Sequence, residues 1–231
     1  MGDGLRRAAG RLAVIAVTGL GLGIVVGGAA GRTAMYLLAR ASPGAHGVVS
    51  DDGFVMGRFT LGGTLNLLLV GAGLGVVGAA IYAGVRWLQP ERLGLRVVAT
   101  AVCAGVGVGA LIVHRDGVDF TVLDAGPATA LFVVIPALYG GLLAGLVETF
   151  LDRRPDGFVS PVWRWCGLLP FVVVPVLPVF ALVWWVGRRL DGTVLEEKLR
   201  GSRARWAGRG LASAALLLLA RDLLLDAAAL T

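Results

Sequence analysis

The sequence predicts an all-α integral membrane protein, and three observations lead to this class. Of the 231 residues, 57% are apolar and 16% are charged, whereas soluble globular chains are roughly 45–50% apolar and about 25% charged. The mean hydropathy is +0.82. The apolar residues fall into long runs, and an α-helix needs about 20 such residues to cross a hydrocarbon core about 30 Å thick. This composition excludes a disordered chain and a small disulfide scaffold, and it disfavours a soluble enzyme.

Five apolar runs are long enough to span a bilayer, and a sixth is apolar but carries charges. Because backbone groups in lipid must be hydrogen-bonded within their own segment, we expect these runs to be helices rather than strands. We read the chain as a single domain, residues 1–231, that forms a bundle of five to six transmembrane helices. The expected helices cover residues 12–39, 59–85, 93–113, 129–150, 166–186 and 211–230.

The ends of the first four runs are marked in different ways. The first run follows Arg6, Arg7 and Arg11; it is too long for the apolar part of a typical signal peptide, so we expect a retained helix. No charge interrupts the second run. Arg96 interrupts the third run near its start. Pro127 is expected in the first turn of the fourth helix, where its missing N–H removes no helical hydrogen bond.

The fifth and sixth runs are ambiguous. Pro170, Pro175 and Pro178 interrupt the fifth run, so we expect either a Pro-kinked span or a re-entrant hairpin. Tryptophan pairs flank both of its ends, about 30 Å of helix apart, which is typical of aromatic belts at two interfaces. The sixth run carries three charges between positions 221 and 226. It is expected to span with those charges against other helices, or to lie on the membrane surface.

The basic residues predict the orientation. The net charge is +6, and the basic residues cluster in short connections, which retention on the cytoplasmic side explains better than nucleic-acid binding. We therefore expect a multi-pass protein of the bacterial cytoplasmic (plasma) membrane, with a cytoplasmic N-terminus and no nucleic-acid partner. Seven further basic residues at positions 187–210 then lie inside if the fifth run is re-entrant, and outside if it spans.

Small residues recur every four positions in the first four helices. Glycine allows the backbone of a neighbouring helix to approach closely, and such packing drives helix association in lipid. This small-xxx-small pattern, a glycine zipper, predicts a tight bundle or a seam between copies, ahead of helices that slide in a transporter. The glycines expected to pack helices are Gly19, Gly23, Gly27, Gly31, Gly71, Gly75, Gly105, Gly109, Gly141 and Gly145.

Three polar side chains lie within the apolar runs or at their ends. Arg32 lies where the first helix leaves the membrane, and it is expected to snorkel or to pair with an aspartate at position 51 or 52. Interhelical hydrogen bonding accounts for Asn66. Glu148 is expected to pair with an arginine at position 153 or 154, at the interface.

Both histidines, His46 and His114, fall in connections on one side of the membrane. With the aspartates of those connections they could form a metal or proton-handling cluster. No spacing defines a metal geometry, and no nucleophile or phosphate-loop motif occurs, so we assign no metal, no cofactor and no catalytic residue. The possible functional polar positions are Arg32, Asp52, Arg58, Asn66, His114, Asp116 and Glu148.

Three stretches of the sequence, residues 31–39, 57–69 and 114–124, resemble uncharacterised multi-pass membrane proteins of high-GC Gram-positive bacteria. The resemblance covers the first four helices and their outer connections. It implies an integral protein of the cytoplasmic membrane and carries no assigned activity.

Three functions are open from the sequence. The first is a non-enzymatic accessory or assembly component that sits in the lipid bilayer and associates with another copy or another membrane protein. The second is a small transporter or channel with Arg32, Asn66 and Glu148 near a polar path. The third is a membrane enzyme or metal-binding protein that uses the outer His and Asp connections. Because no catalytic motif occurs, an enzyme is disfavoured.

Overall fold

The computed structural model describes residues 3–42, 44–45, 47–49, 57–113, 123–174 and 202–230. Within these residues the regular structure is helical and includes no strand, which confirms the all-helical prediction. Four of the described helices are long and apolar enough to cross a membrane: Asp3–Ala41, Leu61–Leu88, Leu93–Ile112 and Gly126–Arg153.

Seven α-helices make up the described chain. The first two are joined without a break by a π-helical segment, Gly23–Ala30, and a short 3₁₀ turn, Arg86–Leu88, follows the third. The helices are α1 (Asp3–Leu22), α2 (Gly31–Ala41), α3 (Leu61–Val85), α4 (Leu93–Ile112), α5 (Ala125–Arg153), α6 (Pro161–Val173) and α7 (Ser202–Leu230).

The first four expected helices correspond to observed ones, with shifted ends. The second begins at Leu61 because the Thr60 side chain accepts a hydrogen bond from the Gly63 N–H, at 3.2 Å, and caps the helix. The first and fourth are longer than expected because helical hydrogen bonding continues past the apolar stretch, into residues that hydropathy does not mark. Pro127 lies in the first turn of α5, as expected, and Pro136 lies within that helix.

Four described helices meet the criteria of length and apolarity, and the count of five to six transmembrane helices stays a prediction. Of the fifth run, residues up to 174 are described; they belong to α6, which has 13 residues and contains Pro170. The remainder of that run lies outside the described residues. The sixth run lies within α7, whose charged residues keep it from meeting the criterion of apolarity.

Loop contacts define one end of the bundle, which we call the basic end. There the Arg11 side chain donates to the carbonyl of Pro155 at 2.5 Å, and the N–H of Phe158 donates to the carbonyl of Gly10 at 3.3 Å. The opposite end, the far end, joins the loop after α2 to the start of α5, where the N–H of Asp124 donates to the Ser42 hydroxyl at 3.2 Å. Successive helices α1, α3, α4 and α5 therefore run between the two ends.

Two buried apolar clusters hold the helices together. The cluster nearer the basic end joins α1, α3, α5 and α6 around side chains such as Val14, Val76, Leu143 and Phe171. The cluster at the far end joins α2, α4, α5 and α7, and it includes Leu223.

Helix α7 runs the full height of this bundle. Near its start, Arg209 donates to the carbonyls of Leu88 and Gln89 at the basic end, at 2.7 and 3.2 Å. Near its other end, Leu223 is buried in the far cluster and lies against Gly109. A helix of 29 residues is about 43 Å long, which is enough to connect the two ends.

Candidate functional site

A buried ion-pair network lies at the basic end and joins α3, α4 and α5. The Glu148 carboxylate accepts two hydrogen bonds from Arg86, both at 2.6 Å, one to each oxygen. Arg96 Nη1 lies 2.7 Å from Glu148 Oε2. The Tyr82 hydroxyl donates to Glu148 Oε1 at 2.5 Å. Four donor contacts thus converge on one carboxylate.

The local sequence explains why these side chains meet. Tyr82 and Arg86 are four residues apart near the end of α3, so they project from the same face of the helix. Arg96 is the fourth residue of α4 and Glu148 lies near the end of α5. The Arg96 guanidinium is held in place from behind, since its Nε donates to the carbonyl of Pro90 at 2.9 Å.

The network is sheltered but not closed. The side chains of Glu148, Arg96 and Arg86 are 7%, 13% and 33% exposed. Two guanidinium groups share one carboxylate, so the network has an excess of one positive charge. A bidentate arginine–carboxylate pair with further donors has the geometry that a buried charge needs to be stable. Its first role is therefore to fix α3, α4 and α5 relative to one another.

The expected partners of Glu148 were wrong. Glu148 turns inward toward α3 and α4, whereas Arg154 instead lies over the ring of Phe150, 5.8 Å from its centroid. Sequence reasoning did not identify Tyr82 and Arg86 as functional positions. Their spacing of four residues, and the interruption of an apolar run by Arg96, are the signals that could have found the network.

Arg32 contacts Arg58 at the far end through the backbone carbonyl of Arg58 and not through its guanidinium group. Arg32 Nη2 donates to the backbone carbonyl of Arg58 at 2.6 Å, and the guanidinium lies over the ring of Phe59, 5.1 Å from its centroid. The Arg32 Nε is buried and forms no hydrogen bond with any described residue. The aspartates proposed as partners of Arg32, including Asp52, lie outside the described residues.

Asn66 lies on the outward surface of α3, away from the helices that pack against α3. Asn66 is exposed. Its exposed neighbours one turn further along that helix are apolar: Leu69 is 71% exposed and Val70 46%.

Glycines of α3 pack against glycines of the first span, which is the continuous helix Asp3–Ala41. A Cβ added at Gly75 would lie 2.6 Å from Gly23 Cα and would clash with the carbonyl of Gly19. A Cβ added at Gly71 would lie 2.6 Å from the Gly28 nitrogen. In the π-helical segment each turn contains more residues than in an α-helix, so Gly28 lies closer to α3 than Gly27 does.

The remaining glycines lie between α4 and α5, or make no close contact with another helix. A Cβ at Gly105 would come within 2.9 Å of the Val133 carbonyl, whereas Gly141 and Gly145 have ordinary spacing, 3.4 and 3.7 Å, from α4 side chains. A Cβ added at Gly31 would lie 3.9 Å from the carbonyl of Val26, which belongs to the same continuous helix.

His114 and Asp116, from the outer His and Asp connections, lie outside the described residues. Within the described part of the chain, no group of three His, Cys, Asp or Glu side chains could hold a metal ion.

Comparison of the chain with protein-family models, curated proteins and solved structures found no match to any of them.

Proposed function

We propose that the chain is a non-enzymatic assembly component of the bacterial cytoplasmic membrane that pairs with a second copy of itself through the outward face of α3. The observation that carries this proposal is the exposed amide of Asn66 on an otherwise apolar helix surface. Asn66 is the sixth residue of α3, so it lies about 7.5 Å along the helix axis from the first. With α3 about 37 Å long and a hydrocarbon core of about 30 Å, the amide is then inside the core.

A polar amide in hydrocarbon needs a hydrogen-bonding partner. Asparagine carries both donors and an acceptor, so two copies of Asn66 can pair reciprocally across a two-fold axis. A two-fold interface requires this kind of self-complementary surface.

The residues around Asn66 are compatible with a close approach. Gly62, Asn66, Leu69 and Gly73 follow one another at spacings of four, three and four, which aligns them along one stripe of the helix. Outside their own helix, no atom of the described residues lies within 4 Å of a Cβ added at Gly62 or Gly73. We call these four residues the α3 stripe. The first span packs against Gly71 and Gly75. The α3 stripe therefore remains available to a partner.

The proposed interface is tested by energy transfer between donor- and acceptor-labelled copies of the full chain in lipid vesicles, diluted with lipid. Asn66→Leu removes the amide, and Asn66→Gln retains it as the matched control. An interhelical hydrogen bond in a membrane is worth about 0.6–2 kcal/mol, so we expect Asn66→Leu to weaken dimerisation about 3- to 30-fold. Asn66→Gln should recover part of that loss.

Three results would contradict the proposal. Wild-type chains that show no transfer at any lipid dilution would exclude a second copy as the partner. Equal dimerisation of the wild type and Asn66→Leu would exclude the α3 stripe as the interface. A different membrane protein that co-purifies with the wild type, but not with Asn66→Leu, would replace the second copy as the occupant.

For the orientation we propose that the basic end faces the cytoplasm. Arginines of the N-terminal helix, of the turn after α3 and of the loop after α5 all gather there, as positive-inside retention favours. Helices α6 and α7 both begin at this end, since Gly167 of α6 lies against Ala13, and Arg209 of α7 bonds to Leu88. This supports the re-entrant interpretation of the fifth run.

The orientation is tested with single cysteines in a chain without Cys103 and Cys166, labelled in intact cells by a membrane-impermeant reagent. Cysteines at Glu91 and Ala207 should stay unlabelled, and one at Gly44 should be labelled. Labelling at Ala207 together with Gly44 would mean that the chain crosses the membrane between α6 and α7.

A further inference from the structure

A cleft with an arginine-rich lining opens beside the ion-pair network, and the network does not use all of it. The cleft has a volume of about 430 Å³. It lies where α3 ends, α4 begins and α7 passes. Its polar lining includes Arg86, Arg96, Arg205, Arg209, Gln89 and Glu91. We call it the basic-end cleft.

The charges of the basic-end cleft do not balance. Four guanidinium groups line it, and the carboxylates that face them are Glu91, in the lining, and Glu148, which holds Arg86 and Arg96. Two positive charges therefore have no compensating carboxylate in the described part of the cleft. An unbalanced pair of cations in a concave, half-sheltered site attracts an anion.

The protein holds Arg209 in place without using all of its donors. Arg209 donates from Nε to the carbonyl of Leu88 and from Nη2 to that of Gln89, and it lies over the ring of Trp206, 5.3 Å from its centroid. An arginine has five N–H groups, so these two bonds leave three. Fixed arginines lose little freedom when a ligand binds, which favours affinity.

The guanidinium groups determine the chemistry of the ligand. The ligand should present acceptor oxygens to them, and arginine forks match the oxygens of phosphate.

We propose that the basic-end cleft binds a phosphate group, either in the headgroup of an anionic phospholipid or in a free phosphate. Its position fits a headgroup, because two spans end and begin beside it. Trp87 and Trp206, 54% and 69% exposed, stand next to it like the aromatic residues found at membrane interfaces.

The test uses the purified full-length protein and two probes. Native mass spectrometry from mixed micelles with equal amounts of phosphatidylglycerol and phosphatidylcholine measures headgroup selection. Titration with inorganic phosphate, followed by the midpoint of thermal denaturation, measures binding of the free anion. The variants are Arg205→Gln and Arg209→Gln, and Arg92→Gln is the matched control, since Arg92 is an exposed arginine of the same turn that does not line the cleft.

We expect the wild type and Arg92→Gln to retain phosphatidylglycerol at least tenfold more often than phosphatidylcholine, and both cleft variants to lose most of that preference. Arg205 is exposed, so Arg205→Gln should fold even if Arg209→Gln does not. Phosphate stabilisation that disappears in Arg205→Gln, without lipid selection, would support the free anion as the ligand. Equal behaviour of Arg92→Gln and Arg205→Gln with both probes would overturn the proposal, as would the absence of binding by either probe.

Discussion

Replacing Glu148 by glutamine is the sharpest perturbation of the ion-pair network. The change keeps the size of the side chain and removes its charge. Arg86 and Arg96 would then face each other without a carboxylate between them. The N–H groups of the new amide would also point at one of the groups that now donate a hydrogen bond to Glu148. Because the Glu148 side chain is 7% exposed and that of Arg96 13%, water can replace little of what is lost.

The expected cost follows from this burial. Removing one partner of a buried ion pair destabilises a protein by about 3–5 kcal/mol. Arg86 is 33% exposed and can turn toward water, so we expect the lower half of that range, about 3–4 kcal/mol. The free energy of unfolding is measured by reversible denaturation of the full chain in mixed detergent micelles.

The matched control is Asp152→Asn, which makes the same chemical change one helical turn further along α5 at an exposed position. We expect a change within about 0.5 kcal/mol for this surface substitution. If Glu148→Gln and Asp152→Asn lowered the unfolding free energy equally, the ion-pair network would not hold the helices together.

Further predictions concern single contacts, each measured by the same unfolding assay. Tyr82→Phe removes one donor to a charged acceptor, so we expect a loss of about 1.5–3 kcal/mol, and no loss would show that the hydroxyl bond is unimportant. Gly75→Ala should cost about 1–3 kcal/mol by overpacking against the first span, whereas Gly84→Ala, which has open space beside it, should cost nothing. Gly157→Ala should cost about 1–3 kcal/mol, because Gly157 has φ +68° and touches the backbone of Gly10; an unchanged stability would contradict this reading of the loop.

The all-helical class and its long apolar helices could be predicted because they depend on composition and on run length alone. The first four helices were located for the same reason, with ends that hydropathy cannot define. The fifth and sixth runs could not be assigned a single arrangement from the sequence, since prolines in one and charges in the other are compatible with several arrangements. Which arrangement occurs depends on tertiary packing.

The candidate sites were harder to predict than the helices. The partners of Glu148 depend on which face of α5 turns inward, and sequence spacing offered nearer arginines. The outward position of Asn66, by contrast, had a usable signal. Gly75 follows Asn66 by nine residues, about two and a half helical turns, so a helix that packs through Gly75 must turn Asn66 away from that neighbour.

The proposed pairing through the α3 stripe is tested most directly by disulfide formation in native membranes, in a chain without Cys103 and Cys166. Leu69→Cys lies on the α3 stripe, and Leu74→Cys is the control, since Leu74 is similarly exposed on the same helix but about 140° around it from Leu69. We expect mild oxidation to convert Leu69→Cys chains to covalent dimers and to leave Leu74→Cys chains monomeric. Dimers from neither variant, or equally from both, would contradict the proposed interface.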